Sequence, residues 1–318
     1  MIPPPLAAVT GGTGFLGLHL VPALAKAGFR IRLLARRDPS HPAFEGISFE
    51  TLRGSLEDEA ALASLVESAD VVVHAAGLIK ARNRAEFLRG NQDGTAALAR
   101  AARRTAPNAK FVLISSLAAR ESGLSDYAFS KRAAEDAALH AFRDAPGQLA
   151  ILRPPAIYGP WDRATLALFR ASLYPAAPLL GKGKAAVIHA VDAVGAIAAM
   201  AGENFRPGCF ALADEKPEGY AQRVLMEEAR RAVGGRARLT RLPKAMVLAA
   251  GFASELAGKM LPKPPIFTLG KAREILHPDW TVHPHELLPR EIYTPRIGLR
   301  QGCAETAAWY RQAGWLRD

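Results

Sequence analysis

Thr10-Gly11-Gly12-Thr13-Gly14-Phe15-Leu16-Gly17 lies between a short apolar run at 6–9 and a helical pattern at 15–27, which Gly28 ends. This order of strand, glycines and helix is typical of a dinucleotide-binding βαβ unit. Gly11 permits a tight turn, Gly14 lets the backbone approach a pyrophosphate, and Gly17 lets the helix pack on the strand. The helix N-terminus also attracts phosphate charge. We therefore expect cofactor contacts from Gly11, Thr13, Gly14, Phe15, Leu16 and Gly17.

From this stretch outward, strands and helices alternate to about residue 153. Strands are predicted at 6–10, 31–35, 47–52, 71–73, 111–114 and 149–152, and helices at 15–27, 57–67, 91–104 and 127–142. The run Val71-Val72-Val73 has no polar alternation, which indicates a strand buried on both faces of a parallel sheet. The pattern predicts an α/β fold, namely a Rossmann doubly wound parallel sheet with right-handed crossovers.

The alternation loosens in the second half, where proline and glycine become dense. Strands are predicted there at 186–189, 210–213 and 239–242, and helices at 192–201, 219–233, 244–260 and 305–313. We expect a Rossmann NAD(P)-binding domain over 1–158. A smaller C-terminal α/β substrate lobe is expected over 159–318, partly threaded back onto the sheet.

Composition and charge exclude several classes of protein. In 318 residues, 49% hydrophobic and 22% charged side chains exclude general disorder. The net charge is +11, but the arginines are scattered among acidic residues, so we expect no nucleic-acid partner. We interpret the charge as a generally basic surface, with a phosphorylated cofactor or substrate as the alternative. Cys209, Cys303 and the histidines form no metal-type spacing, so no metal site is predicted.

The chain gives no sign of a leader or a membrane span. Met1-Ile2-Pro3-Pro4-Pro5 lacks a basic region and a long apolar run, so a cytoplasmic protein is expected. The longest apolar stretch, 245–257, is interrupted by Ser254 and Glu255 and is shorter than the roughly 18 residues of a typical span. Contact with a membrane surface remains open.

The end of the second predicted strand bears on the cofactor. An acidic residue there would bind the ribose hydroxyls of NAD, but the sequence has Ala35-Arg36-Arg37. A guanidinium suits the 2′-phosphate of NADP because its planar fork pairs with phosphate oxygens. We favour NADP(H), with Arg36 ahead of Arg37 as its ligand. NAD(H) and a purely solvated strand end stay as alternatives.

Further motifs follow in order along the first two thirds of the chain. They are Arg53-Gly54-Ser55-Leu56-Glu57-Asp58, His74-Ala75-Ala76-Gly77, Asn91-Gln92-Asp93-Gly94-Thr95, Ser115-Ser116, Tyr127-Ala128-Phe129-Ser130-Lys131, Arg153-Pro154-Pro155-Ala156-Ile157-Tyr158-Gly159-Pro160 and His189-Ala190-Val191-Asp192-Ala193-Val194. Together they resemble the extended short-chain dehydrogenase/reductase family over about residues 6–200. One departure is Ser55, which stands where the family usually has Asp.

The resemblance implies roles for these residues. Cofactor contacts are implied for Ser55, Leu56, Ala75, Ala76, Gly77, Asn91, Tyr127, Lys131, Pro154 and Ile157. Tyr127, Lys131 and Ser116 are the implied catalytic residues, with Ser115 as the rival of Ser116. Ser116, Tyr158 and Trp161 are candidates for binding substrate, although Tyr158 and Trp161 would equally well pack the second lobe.

The spacing of Tyr127 and Lys131 carries a chemical expectation of its own. Four residues apart, the two side chains share one face of a helix. A nearby ammonium lowers the pKa of a phenol, so Tyr127 could exchange a proton with a substrate oxygen while hydride moves to or from the nicotinamide. The hydroxyl of Ser116 would polarise the carbonyl.

Three functions are consistent with these residues. The first is an NADP(H)-dependent oxidoreductase that interconverts a ketone and a secondary alcohol, near the hydroxysteroid dehydrogenase and dihydroflavonol reductase branches. The second is a nucleotide-sugar epimerase with tightly bound NAD. The third is a non-catalytic cofactor-binding subunit or assembly factor. A small-molecule substrate is expected, and the family resemblance implies a homodimer through the helices at 91–104 and 127–142.

Overall fold

The computed structural model describes residues 3–258, 260 and 264–316. Its strands are β1 (Leu6–Thr10), β2 (Arg30–Ala35), β3 (Glu50–Arg53), β4 (Val71–His74), β5 (Lys110–Ile114), β6 (Leu149–Arg153), β7 (Ala156–Tyr158), β8 (Ala176–Leu179), β9 (Lys184–Ala185), β10 (Val187–His189), β11 (Gly208–Ala211), β12 (Tyr220–Ala221), β13 (Arg238–Arg241) and β14 (Asp279–Trp280).

The α-helices surround these strands. They are α1 (Phe15–Lys26), α2 (Glu59–Val66), α3 (Arg84–Leu88), α4 (Gly94–Thr105), α5 (Asp126–Ala141), α6 (Leu166–Ala171), α7 (Ala190–Ala201), α8 (Gln222–Val233), α9 (Lys244–Gly258), α10 (Leu269–Leu276) and α11 (Leu299–Gln312). A π-helical turn, Arg89–Asp93, joins α3 to α4.

Seven parallel strands form the main sheet in the order β11-β6-β5-β4-β1-β2-β3. Every residue of β1 and β4 is buried, because these strands run through the centre of the sheet and are covered on both faces. Helices α1 and α7 pack on one face, and α2, α4 and α5 pack on the other. The predicted fold class, a doubly wound Rossmann sheet, is confirmed.

The second half returns to the sheet and also builds small sheets of its own. β11 pairs with β6 at the sheet edge, while β10 pairs with β7, β13 with β8, and β9 with β12 and β14. The division into 1–158 and 159–318 stays a prediction. Across the described residues, no helix combines the length and apolarity that a bilayer crossing requires.

Several predicted bounds differ from the structure. The predicted helix 91–104 is a π-helical turn followed by α4, and the predicted helix 305–313 already begins at Leu299. The short helices α3, α6 and α10 were not predicted. Outside the described residues lie Met1, Ile2, Lys259 near the end of the predicted helix 244–260, and residues 261–263, which include half of the proline-rich stretch 262–265.

Candidate active site

The predicted cofactor loop lies at the carboxyl ends of β1 and β4. Gly11 has a φ of +77°, and a Cβ there would lie 2.4 Å from the backbone nitrogen of Ala76. The backbone N–H of Ala75 donates to the carbonyl of Thr10 at 3.1 Å. Only glycine fits position 11, because the loop after β4, which includes Gly77, lies directly against the glycine loop.

The first turn of α1 offers an anion site. Gly14 is its N-cap, no side chain of the described residues caps the helix, and the first turn has no acidic residue. A Cβ on Gly14 would meet only the Gly11 carbonyl oxygen at 3.4 Å, so the space beside the loop is open. Thr13 is exposed, and Phe15 and Leu16 are partly exposed at the same place. Free N–H groups at a helix N-terminus fit the pyrophosphate of a dinucleotide.

Three arginines lie where β2 and β3 end. Arg36 and Arg37 follow Ala35, which is paired with Arg53 in the neighbouring strand, and all three guanidinium side chains are exposed. Within the described chain none of them has an ion-pair or hydrogen-bond partner. Arg53 was not predicted to bind cofactor, and only the pairing of β2 with β3 reveals that it adjoins Arg36. The cluster leaves three cations available to a phosphate.

Two further cofactor candidates, Ser55 and Leu56, lie in the loop that follows β3. The Ser55 hydroxyl accepts a hydrogen bond from the backbone N–H of Glu57 at 3.2 Å. Leu56 is partly buried and lies against Gly94, where an added Cβ would be 2.7 Å from its Cδ1. The structure thus gives both residues local packing roles, and their contact with an adenine stays a prediction.

The three catalytic candidates meet where β5 ends and α5 begins. Lys131 is buried, and its Nζ donates to the Ile114 carbonyl at 2.8 Å. Tyr127 lies one turn earlier on α5 and hydrogen-bonds to Ser116, whose backbone directly follows Ser115 at the end of β5. Ser115 points elsewhere, since its hydroxyl donates to Glu135. The structure therefore brings Ser116, rather than its rival, to Tyr127.

The acidity of Tyr127 differs from the sequence expectation. Burial raises the pKa of Tyr127 to about 12, the hydrogen bond with Ser116 lowers it, and the charge of Glu274 raises it further. Burial also lowers the pKa of Lys131 to about 8, against the opposing charge of Glu135. The Lys131 ammonium is not among the causes of the shift in the pKa of Tyr127, so the expected lowering is absent and burial dominates. Tyr127 is thus a protonated phenol at neutral pH.

One turn beyond Lys131 on α5, Glu135 forms a largely buried ion pair with Arg153. Glu135 accepts from Arg153 Nε at 2.8 Å and from Arg153 Nη2 at 2.6 Å, and the Ser115 hydroxyl donates to the same carboxylate at 2.5 Å. Glu135 was not predicted, although the spacing Tyr127, Lys131, Glu135 places all three on one helical face. The carboxylate is therefore in position to orient Arg153 and to favour the charged form of Lys131.

Asn91 lies inside the π-helical turn and fixes the loop after β4. Its Nδ2 donates to the Leu78 carbonyl at 3.0 Å and to the Ser130 hydroxyl at 2.8 Å, and its Oδ1 accepts from the Leu78 N–H at 2.6 Å. A π-helical turn often marks a functional site, because it redirects one side chain out of the helical ladder. Here it turns Asn91 toward Gly77 and Lys131.

His74 links Thr10, which precedes the glycine loop, to Thr95 in α4. Thr95 donates its hydroxyl proton to the Asn91 carbonyl at 2.6 Å, so it must accept from His74 Nε2 at 3.0 Å. Nδ1 of His74 is then the acceptor for the Thr10 hydroxyl at 2.6 Å. Burial lowers the pKa of His74 to about 3, with the Lys131 charge acting in the same direction. His74 is therefore a neutral link between the glycine loop and Asn91.

The remaining predicted residues lie between the end of β6 and the start of the second half of the chain. Pro154 is buried and its carbonyl accepts from the Leu117 N–H at 2.8 Å, while Ile157 in β7 pairs with Ile188. Tyr158 is buried in a core cluster, and its hydroxyl has no hydrogen-bond partner among the residues that the structure describes. Trp161 has a φ of +69° and packs against His41 and Trp309. Substrate contacts by Tyr158 and Trp161 stay predictions.

Sequence reasoning also missed a carboxylate on α10. Glu274 is buried, accepts from the hydroxyl of Ser125, and forms an ion pair with Lys271 at 2.8 Å. Ser125 is the N-cap of α5, two residues before Tyr127. A residue so distant in sequence carried no signal, because only the fold brings α10 to the start of α5.

The chain resembles proteins of known family along most of its length. A model of the NAD dependent epimerase/dehydratase family matches residues 7–210. The ceramide reductase of Caulobacter vibrioides is 45% identical over 311 residues, which cover 97% of this chain and 95% of that protein. Two solved structures share the fold. That of gox2253 has a TM-score of 0.77 at 20% identity and covers 98% of this chain and 99% of its own. The structure of Thermus thermophilus UDP-glucose 4-epimerase with NAD has a TM-score of 0.69 at 19% identity. The match covers 97% of this chain and 99% of that chain.

Proposed function

The chain belongs to the NAD dependent epimerase/dehydratase family, and from this premise we propose that it reduces a ketone to a secondary alcohol with NADPH. It is an NAD(P)-dependent oxidoreductase of the extended short-chain dehydrogenase/reductase type. The observation that carries the proposal is the convergence of Tyr127, Ser116 and Lys131 beside the glycine loop. Arg36, Arg37 and Arg53, all without partners in the described residues, support the choice of NADPH.

Each catalytic side chain has a distinct task in this proposal. The cofactor, when bound, supplies the hydride to the carbonyl carbon. Tyr127 donates its phenolic proton to the carbonyl oxygen, and its pKa of about 12 keeps that proton in place at neutral pH. The Ser116 hydroxyl orients the carbonyl, and the Lys131 ammonium stabilises the phenolate that forms. Gly14 and the first turn of α1 would hold the pyrophosphate, with the arginine cluster at the 2′-phosphate.

We further propose that the substrate is the ketone form of a ceramide-class lipid. The ceramide reductase of Caulobacter vibrioides is similar over 97% of this chain, including all three catalytic candidates within the matched length. The loop that Asn91 fixes also presents apolar side chains to solvent, since Leu78 and Ile79 are both exposed. An apolar rim on the loop whose Gly77 lies against Lys131 suits a long-chain ketone better than a nucleotide sugar.

The test is a reduction assay with the full chain and an N-acylated 3-keto long-chain base in detergent micelles. We expect one alcohol formed for each NADPH oxidised, with kcat/KM for NADPH exceeding that for NADH by about tenfold or more. Tyr127→Phe should lower kcat by about 10²–10⁴ while NADPH still binds. The matched control is Tyr174→Phe, at an exposed tyrosine, which should leave kcat unchanged.

Two outcomes would contradict the proposal. One is the absence of turnover with any ketone by folded protein that binds NADPH. The other is stoichiometric NAD that co-purifies and does not exchange, which would favour the epimerase alternative.

A further inference from the structure

Helix α9 presents most of its apolar surface to water. Only Val247, Gly251 and Gly258 of this helix are buried. Its exposed residues are Lys244, Ala245, Met246, Ala249, Ala250, Phe252, Ala253, Glu255, Leu256 and Ala257. Met246, Phe252 and Leu256 are each more than half exposed. Apart from Lys244 and Glu255, whose carboxylate accepts a hydrogen bond from the Leu269 N–H at 3.1 Å, the exposed residues of this helix are apolar.

A cluster of positive charge precedes this helix. Arg236, Arg238, Arg241 and Lys244 are exposed, and no acidic residue occurs between Gly234 and Ser254. Over the part of the chain that the structure describes, none of the four pairs with a carboxylate. An apolar helical face next to unpaired basic residues matches the two layers of an anionic bilayer surface, namely acyl chains and charged headgroups.

The position of α9 relates this surface to the active site. α9 packs on α10 through Gly251, where a Cβ would lie 2.9 Å from the Cβ of Ala272. α10 in turn lies on the N-cap of α5, since a Cβ at Gly270 would be 2.8 Å from the Cβ of Ser125. One helix thus separates the exposed apolar surface from the start of the helix that carries Tyr127.

We propose that α9 docks this protein on anionic membranes, with its apolar face among the acyl chains and the basic cluster at the lipid headgroups. A second copy packed on the same helix would bring two unpaired basic clusters toward each other, which disfavours that occupant. The docking does not rest on the ketone-reductase assignment. If both hold, a lipid ketone in the bilayer lies close to Tyr127.

The test is co-flotation of the full chain with vesicles of phosphatidylcholine alone, or with about a third phosphatidylglycerol, without cofactor or substrate. Leu256→Glu should lower the partition coefficient on anionic vesicles by about tenfold or more, because a charge replaces an inserted apolar side chain. The matched control is Leu168→Glu, since Leu168 on α6 is 41% exposed and Leu256 is 55% exposed. Arg241→Gln with Lys244→Gln should weaken binding by about fivefold for each charge on anionic vesicles only.

Thermal unfolding monitors the fold of every variant. Loss of binding in the Leu256 variant alone supports the proposal. Wild-type protein that binds neither vesicle, or equal binding by the Leu256 variant and wild type, overturns it. Equal loss in both Leu→Glu variants would assign the effect to added negative charge and also overturns it. The proposal is also overturned if the wild type is a dimer that binds no vesicles and the Leu256→Glu variant is a monomer. None of these outcomes depends on turnover, so failure here is separate from failure of the proposed reaction.

Discussion

At the scale of single residues, Lys131, a proposed catalytic residue, holds its charge in a buried place and thereby lowers the stability of the folded chain. Its ammonium is buried, and its folded-state pKa of about 8 lies below the usual 10.5. Between these two values the unfolded chain binds more protons than the folded chain, so this group makes the protein more stable as pH rises through the window. Below about pH 8 the burial of the charge is a penalty of up to about 3 kcal/mol.

We predict that Lys131→Met is at least as stable as wild type at pH 7 but loses activity by about a hundredfold or more. Its stability advantage should shrink as pH rises from about 8 to 10.5, because wild-type Lys131 becomes neutral in the folded state. Chemical denaturation across this pH range measures the effect. Lys26→Met, at an exposed lysine that ends α1, is the control. A constant stability difference at all pH values would contradict the argument.

Arg36 is the residue on which cofactor choice is predicted to depend. Arg36→Ala should lower kcat/KM for NADPH by about 10–100-fold, the usual value of a charge-assisted hydrogen bond, and change the NADH value little. Arg53→Ala should act in the same direction, because Arg53 is beside Ala35 in the paired strand. Arg143→Ala, at an exposed arginine beyond the end of α5, is the matched control. Equal losses with both cofactors would contradict a role at the 2′-phosphate.

Local spacing made much of the active-site geometry predictable, and burial set the limit. The relative positions of Tyr127, Lys131 and the glycines could be predicted because each position depends on neighbours in the same helix or loop, while their roles stay predictions. Glu135 was readable in principle from the same helical face. The pKa of Tyr127 was not, since burial and the charge of Glu274 come from distant parts of the chain.

At the scale of elements, α10 packs against the N-terminus of α5. The Ser125 hydroxyl caps α5 by accepting from the Ala128 N–H at 3.0 Å and donates its own proton to Glu274. The Glu274 charge also raises the pKa of Tyr127. Glu274 is thus predicted to be a positioning residue that holds the active-site helix and keeps Tyr127 protonated.

Glu274→Gln should therefore lower the pKa of Tyr127. In the alcohol-oxidation direction, activity rises as the phenol deprotonates, so the rising limb of the pH profile should move to lower pH. The measurement is kcat/KM against pH, with Glu227→Gln, at a partly exposed residue of α8, as the control. A reduced rate with an unmoved profile would instead indicate that Glu274 only supports the fold.

The helix α10 was not predictable, and neither was the π-helical turn at Asn91. A segment of eight residues, Leu269–Leu276, has too few turns for a periodic pattern, and its stability comes from contacts with α9 and Ser125. The π-helical turn depends on the three hydrogen bonds of the Asn91 side chain. Long elements with one buried face were predicted because their period is a property of the local sequence.

At the scale of the whole molecule, the second half is tied to the sheet through buried polar contacts as well as strand β11. Arg120, just after β5, donates to the carbonyls of Thr281 and Asp279 at 2.9 Å. Asp192 in the first turn of α7 accepts from the Tyr293 hydroxyl at 2.8 Å and from the N–H groups of Arg296 and Ile297. Such long-range contacts could not be read from the sequence.

Asp192→Ala should therefore loosen the segment 293–297 and lower the stability of the whole chain. It removes the carboxylate that accepts from a partly buried tyrosine hydroxyl and from two backbone N–H groups, which costs about 2–3 kcal/mol. For a chain of this size the melting temperature should fall by about 3–5 °C. Asp136→Ala is the matched control, because Asp136 forms an exposed ion pair with Arg132, and it should change stability by under about 0.5 kcal/mol. Hydrogen exchange at the Arg296 and Ile297 amides tests whether the Asp192 carboxylate or apolar packing holds this segment. Fast exchange in the Asp192 variant would show that the carboxylate holds it. Unchanged protection would show that apolar packing is sufficient and would contradict the prediction.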